Sequence, residues 1–335
     1  MTHTPLPDSP ELTQLLEEFK RLESGFVDAR KDGLFLAAKG WQREISEFAG
    51  LVNKLKVGVM SFDAMPMRDR EFSLFTNTEN WRTFFVSETP ITGSGLDLLP
   101  ECPNVVDIKI SECPLRGNRL IGLRRFPNVK KVDIGWCEDA DQALEYLAGL
   151  KSLEYFHIRP RPFFTGDGLA HFCGHQSICR IDFSDSRIKR GMEHLKDCPN
   201  LRELSLSHTE LDDEQMKHVA GIRSLRYVYV TSSSISDTGF ATFANHPHLE
   251  KIGAHGLGSD EHRQLTEKCL SHWESIPNLR SVTCAFRVTQ RGLDSLKKMK
   301  NLKHLGLHWP VLTKSELEEI ERQLPNCRVS AKVLE

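Results

Sequence analysis

Between Leu201 and Ala244 the chain writes one unit twice, and this constrains its fold more than any local motif. Leu201, Leu204, Leu206, Thr209, Leu211, Met216 and Val219 return 24 places later as Leu225, Val228, Val230, Ser233, Ile235, Phe240 and Phe243. Neither copy can bury its apolar side alone, so the copies must stack. Within a copy, Leu-x-x-Leu-x-Leu ends in two-residue alternation, which puts Leu204 and Leu206 on one face of a short strand. Thr209 follows where the chain turns, and its hydroxyl can satisfy backbone groups bent out of a ladder. Ser236 or Asp237 then caps a helix whose inward stripe is Phe240 and Phe243. Strand, turn and helix make one coil.

The same frame runs through most of the chain. The first apolar strand positions are Val57, Trp81, Val105, Val129, Leu153, Ile178, Leu201, Leu225, Leu249, Leu279 and Leu302, spaced 24, 24, 24, 24, 25, 23, 24, 24, 30 and 23 residues apart. The fourth and sixth positions are apolar nearly throughout, from Met60 and Phe62 to Leu305 and Leu307. Pro-Asn precedes several strands (Asn104, Asn128, Asn200, Asn278) and marks the loop from helix to strand.

These residues resemble the leucine-rich repeat family, in its helix-bearing, cysteine-containing form. Thr89, Cys113, Cys137, Ser186, Thr209 and Ser233 stand in the slot where that family places Asn, Cys or Thr. Ile91-Thr92-Gly93-Ser94-Gly95-Leu96, Ile235-Ser236-Asp237-Thr238-Gly239-Phe240 and Val288-Thr289-Gln290-Arg291-Gly292-Leu293 are similar to its Ile-Thr-Asp-x-Gly-Leu step. The resemblance implies an α/β solenoid with a curved parallel sheet on its concave face and helices on its convex face. It further implies that the concave face binds another macromolecule.

The frame divides the chain into an N-terminal helical capping region, 1–54, and a solenoid of about eleven coils, 55–335. In the first, Asp8 or Ser9 caps a helix with the stripe Leu12, Leu15, Leu16, Phe19 and Leu22; Leu34–Leu36 forms a short strand, and Trp41–Lys54 a second helix. The coil 249–278 is about six residues over length, absorbed by a longer helix with Leu265, Leu270 and Trp273 inward or by a loop. Arg161, Leu257, Arg287 and Pro310 replace the small turn-former, so those turns are expected to be irregular. After Leu302 a last helix and an edge strand close the chain.

Charge nearly cancels, 44 basic against 46 acidic residues, so the sequence predicts no nucleic-acid partner. No basic stretch leads into an apolar run at the N-terminus, and no apolar run approaches membrane-spanning length, so neither a secretory signal nor a membrane span is expected. Nine scattered cysteines argue against a disulfide framework and for a reducing, cytoplasmic setting. No phosphate loop, nucleophile elbow or His-Glu-x-x-His helix is present, so neither an enzyme nor a cofactor is expected. His171, Cys173, His175 and Cys179 are metal-ligand types, but the frame sends them to diverging sides, and we read a polar loop with a semi-buried cysteine.

Residues between the inward strand positions must face out of the sheet. The candidate partner-binding set is Trp136, Tyr155, His157, Arg159, Arg180, Asp182, Tyr227 and Tyr229, with Phe85, Phe286, His304, His308 and Trp309 on the same face. Exposed Trp, Tyr and Arg are the types on which binding energy concentrates. The sequence thus predicts a non-enzymatic scaffold that binds another protein on the concave face. The alternative is a ubiquitin-ligase substrate receptor, because Leu6-Pro7, Glu11-Leu12, Leu15-Leu16, Phe19 and Leu22 resemble the opening of an F-box.

Overall fold

The computed structural model describes residues 25–30, 33–39, 45–160, 164–232, 234–256 and 265–333. The helix expected over Leu12–Leu22, the F-box-like residues, Trp41, Arg161, Ser233 and Leu257 lie outside the described residues. The chain forms two compact units, residues 1–163 and 164–335.

The first unit opens with strands β1 (Gly25–Arg30) and β2 (Gly33–Lys39), an antiparallel pair, and helix α1 (Ile45–Lys54). The expected strand at Leu34–Leu36 is therefore β2, and the expected second helix is α1. The described residues before Val57 are thus part sheet and not all helix, since β1 adds a strand and β2 pairs in parallel with β3 (Val57–Asp63). The parallel ladder continues through β4 (Thr83–Ser87), β5 (Asp107–Ser111), β7 (Lys131–Glu138) and β8 (Tyr155–Pro160). The short β6 (Leu115–Arg116) pairs with the far end of β7.

The second unit repeats the plan with β9 (Arg180–Asp182), β10 (Glu203–Ser207), β11 (Tyr227–Ser232), β12 (Lys251–Gly256), β13 (Ser281–Cys284), β14 (His304–Leu312) and β15 (Arg328–Val333), all parallel. The expected frame is the observed register: Leu204 lies opposite Val228 and Leu206 opposite Val230. Every first, fourth and sixth strand position from Val57 to Leu307 is buried, none more than 5% exposed. In both units the helices lie on that inward side. They are α2 (Ala140–Ala148), α3 (Asp213–Ala220), α4 (Asp237–Ala241), α5 (Cys269–Trp273), α6 (Gln290–Lys298) and α7 (Lys314–Gln323).

The expected helix is a 3-10 helix in five coils, at 69–74, 94–98, 117–125, 167–172 and 192–195. A 3-10 helix rises about 2.0 Å per residue against 1.5 Å for an α-helix, so it crosses the back of a coil with fewer residues. In the long coil Leu265, Leu270 and Trp273 are inward as expected, and the Trp273 indole N–H donates to the Phe240 carbonyl at 3.2 Å. At the end of the chain, β14 runs through Pro310 with a register shift after Leu307, an irregular turn as expected.

Three polar devices recur between consecutive coils. In the helix-to-strand loops the Asn carboxamide donates to a backbone carbonyl one coil earlier: Asn104 to Glu79, Asn128 to Pro103, Asn200 to Gln176, Asn278 to Pro247 and Asn301 to Pro277, all at 2.7–2.9 Å. At the helix starts a carboxylate reaches one coil forward. Asp69 accepts from the N–H and hydroxyl of Thr92, Asp237 from those of Thr266, and Glu267 from those of Thr289. Ser236 itself caps α4 by accepting from Thr238 N–H, which settles the choice between Ser236 and Asp237.

The third device is the strand exit. Ala64, Glu88, Glu112, Trp136, Asp185 and His208 share one slot, seven residues after the first strand position, and all have φ of 49–60°. This left-handed bend turns the amide of Ala64, Glu88, Asp185 and His208 onto a carbonyl of the following coil at 2.7–3.2 Å. The small residue after it seals the turn: Thr89 donates to Ser87 O, Cys113 to Ser111 O and Thr209 to Leu206 O. In the coil of Leu153 the slot holds Pro160, whose ring fixes a negative φ and removes the N–H. The division between the two units falls three residues later.

Candidate interaction face of the strands

Helices cover one side of each ladder, and the alternate strand residues form an open face on the other. In the first unit this face carries two rows across β4, β5, β7 and β8. One runs Phe85, Lys109, Asp133, His157; the other runs Thr83, Asp107, Lys131, Tyr155. Neighbouring strands are about 4.8 Å apart, so successive side chains in a row are close neighbours. His157 Nδ1 lies 3.1 Å from Asp133 Oδ1. Burial works to raise the Asp133 carboxyl, but hydrogen bonding to His157, with the charges of His157, Lys109 and Arg159, holds it below its usual value. Asp107, in the next row, is pushed up by burial more than its lysine neighbours pull it down.

Tyr155, half-buried, and Arg159, exposed, stand on this face; Trp136, 39% exposed, sits at the irregular exit of β7 between the paired Ile134 and Cys137. His157 is only 7% exposed. It faces out of the sheet but is walled in by its row, so it orients Asp133 instead of offering its own surface. The 24-residue offset from Asp133 to His157 was the signal for this pair: two complementary side chains in the same slot of consecutive coils.

In the second unit Arg180, Asp182, Tyr227 and Tyr229 also lie on the open face, in two rows. Arg180, Glu203, Tyr227, Lys251, Ser281 and His304 form one; Asp182, Ser205, Tyr229, Gly253, Thr283 and Gly306 form the other. Arg180 is drawn to Asp182 at 3.6 Å and Glu203 at 3.4 Å, and Asp182 accepts the Ser184 N–H at 2.9 Å. The Tyr229 ring leans over Gly253, where a Cβ would meet its Cδ1 at 2.8 Å, and Lys251 Nζ lies 5.1 Å from the ring centroid. Glycine in an outward strand slot is what lets the ring lie flat against the sheet. Farther along, the His255 and His308 rings approach to 5.0 Å, and burial with the neighbouring His308 lowers the His255 pKa. Sequence reasoning missed Lys251, Gly253 and His255, although they occupy the same outward slots as the residues it named.

One expectation needs correction. Phe286 is 4% exposed and belongs to the core, because the bend slot it occupies takes a different conformation in that coil. The side chain of Trp309 lies outside what is described. The cluster His171, Cys173, His175 and Cys179 is dispersed, as the frame required. His175 Nδ1 accepts the Ile178 N–H at 3.2 Å, Cys179 donates to Ser177 O, and Cys173 points toward Asp197 at 3.8 Å. His246, in the same slot as His175 in a later coil, accepts the Leu249 N–H in the same way. Among the described residues no three His, Cys, Asp or Glu gather as a metal site requires. Nor is any described helix long and apolar enough to cross a membrane.

The chain matches no family model and no curated protein. Among solved structures it is similar to an internalin, InlF, from Listeria monocytogenes, with 14% identity and a TM-score of 0.51, covering 100% of this chain and 94% of that one. A second similar structure is TLR13 in complex with ssRNA13, at 11% identity and a TM-score of 0.44, covering 86% of this chain and 48% of that one. Together with the repeat register, the likeness to the internalin fold makes this an α/β leucine-rich repeat solenoid.

Proposed function

We propose that this leucine-rich repeat chain is a non-enzymatic scaffold that binds another protein on the open face of its strands. Trp136 carries the reading. It is the largest side chain in the left-handed slot, where a bulky residue is strained by roughly 1–3 kcal/mol, and it still leaves 39% of its surface in water. Neither core burial nor backbone ease accounts for a tryptophan there, whereas a contact made on binding does. Arg159 lies opposite the Gly135–Trp136 irregularity on the neighbouring strand, Tyr155 stands farther back on that strand opposite Lys131, and Tyr227 with Tyr229 supplies an aromatic patch on the second unit. The nine unpaired cysteines support a reducing, cytoplasmic setting for this work.

The test is capture of partners by the immobilised full chain, identified by mass spectrometry. Trp136→Ala with Tyr155→Ala should remove the captured proteins, with at least about 2 kcal/mol lost per anchor. Lys217→Ala on α3, exposed and paired with Glu214 on the helical side, should leave capture intact. Capture that survives the first variant and fails with the second would place binding on the helices.

A further inference from the structure

The asparagine ladder of the helix-to-strand loops is interrupted at Ser152 and Ser177, and again at Ser224 and His248. Ser224 and His248 stand where Asn104, Asn128, Asn200, Asn278 and Asn301 bridge other coils. The Ser224 hydroxyl is short and turns back onto Leu201 O at 2.7 Å and Cys198 O at 3.1 Å, so no carboxamide fills the loop edge. Beside Ser224 and His248 lies a cavity of about 430 Å³, lined also by Lys196, Arg202, Arg223 and Arg226 among others.

Its charge is one-sided. Four permanent cations and a histidine line the cavity, and no carboxylate does. Arg226 alone has an acidic partner, Glu250 at 3.1 Å; Lys196, Arg202 and Arg223 have none among the described residues. The chain as a whole carries a formal charge of −2, so this concentration runs against its average. Arg202 and Arg226 hold the same slot of adjacent strands, and Arg226 N–H bonds the Arg202 carbonyl at 2.8 Å, which fixes their spacing. Cations held together without counter-charge repel one another, and a bound anion relieves that repulsion. Guanidinium forks match phosphate oxygens two at a time, and the cavity lies in the size range of small-ligand sites.

We propose that this cavity is a binding site for a multiply charged phosphate group, of the pyrophosphate class, borne by a free metabolite or by a lipid headgroup. The site lies at the strand-entry edge, apart from the open face, and does not depend on the reading above.

Titration calorimetry of the full chain with inorganic pyrophosphate at low ionic strength tests it, alongside co-sedimentation with phosphatidylcholine vesicles containing phosphatidic acid. Saturable binding of either probe is expected, weakening as salt rises and falling by roughly tenfold or more in Arg202→Gln with Arg223→Gln. Both arginines are exposed, so the variant should keep its unliganded melting temperature. Pyrophosphate binding assigns a free ligand; vesicle binding alone assigns a headgroup. No saturable binding of either probe, or binding unchanged in the double variant, overturns the site.

Discussion

Asp69 accepts both the backbone N–H of Thr92, at 3.0 Å, and its hydroxyl, at 2.6 Å, across 23 residues of chain. The same carboxylate takes the N–H groups of Gly93 and Gly95, so one side chain satisfies the start of the next coil's helix. Burial pushes its carboxyl up, but the hydrogen bonds from Thr92, Gly95 and Gly93 outweigh burial and lower it from 3.8. Its stabilisation is therefore complete above that pH and fades as pH falls through the lowered value. Asp69→Ala should cost about 1–2 kcal/mol at neutral pH, and the gap from the wild type in denaturant melts should close on acidification. A gap independent of pH would mean that the carboxylate charge is not what caps the turn.

Leu204 is fully buried and Ser205, its neighbour on the open face, is bonded by its hydroxyl to Ser184 at 2.8 Å. Leu204→Ala should cost about 2–5 kcal/mol. Ser205→Ala should cost about 1 kcal/mol, the worth of one hydrogen bond and no more. Equal losses for the two would contradict the alternation of β10.

Glu112 sits at φ 54° and is exposed. In an ordinary strand alanine is better than glycine; in the left-handed slot the order reverses, because Cβ itself carries the strain. Glu112→Gly should thus melt above Glu112→Ala, by about 1 kcal/mol in stability. The reverse order in thermal melts would show a bend that does not survive in solution.

Cysteine reactivity should separate one thiol from eight. Cys173 is the exposed one, while burial pushes Cys137 and Cys284 up to about 12 and Cys102 and Cys113 up to about 11. Thiolate is the reactive form, so a chromogenic disulfide at neutral pH should show a fast phase of about one thiol per chain. Cys173→Ser should remove that phase, and its persistence would point to Cys179 or Cys327 instead.

The strand frame was legible because a buried slot accepts few residue types, so apolar positions repeat visibly. Leu204 and Val228, or Phe62 and Val86, announce themselves as equivalents. The left-handed slot was not legible: Ala, Glu, Trp, Asp and His occupy it, and what they share is a backbone angle. Asp69 and Thr92 are both polar and common, and only the stacking of two coils shows that they meet. Tyr155 was placed on the open face from alternation alone, yet His157 could not be known as covered without Asp133 beside it. The basic cavity was not legible either, because Lys196, Arg202, Arg223 and Arg226 belong to successive coils and only stacking brings them together.

The bridges between coils have one more consequence. Asn128 reaches Pro103 over 25 residues and Asn200 reaches Gln176 over 24, while in the overlong coil Asn278 reaches Pro247 over 31. Sequence distance varies, but each contact begins and ends in the same slots. The chain therefore counts in coils and not in residues: extra length is admitted between slots, and whole coils are the unit in which such a chain can grow or shrink. A deletion from Leu201 through Ser224 would seat Val228 where Leu204 now faces Ile181, one apolar residue exchanged for another. A deletion of half that length would bring helix positions against the strand of the preceding coil and leave no ladder to continue.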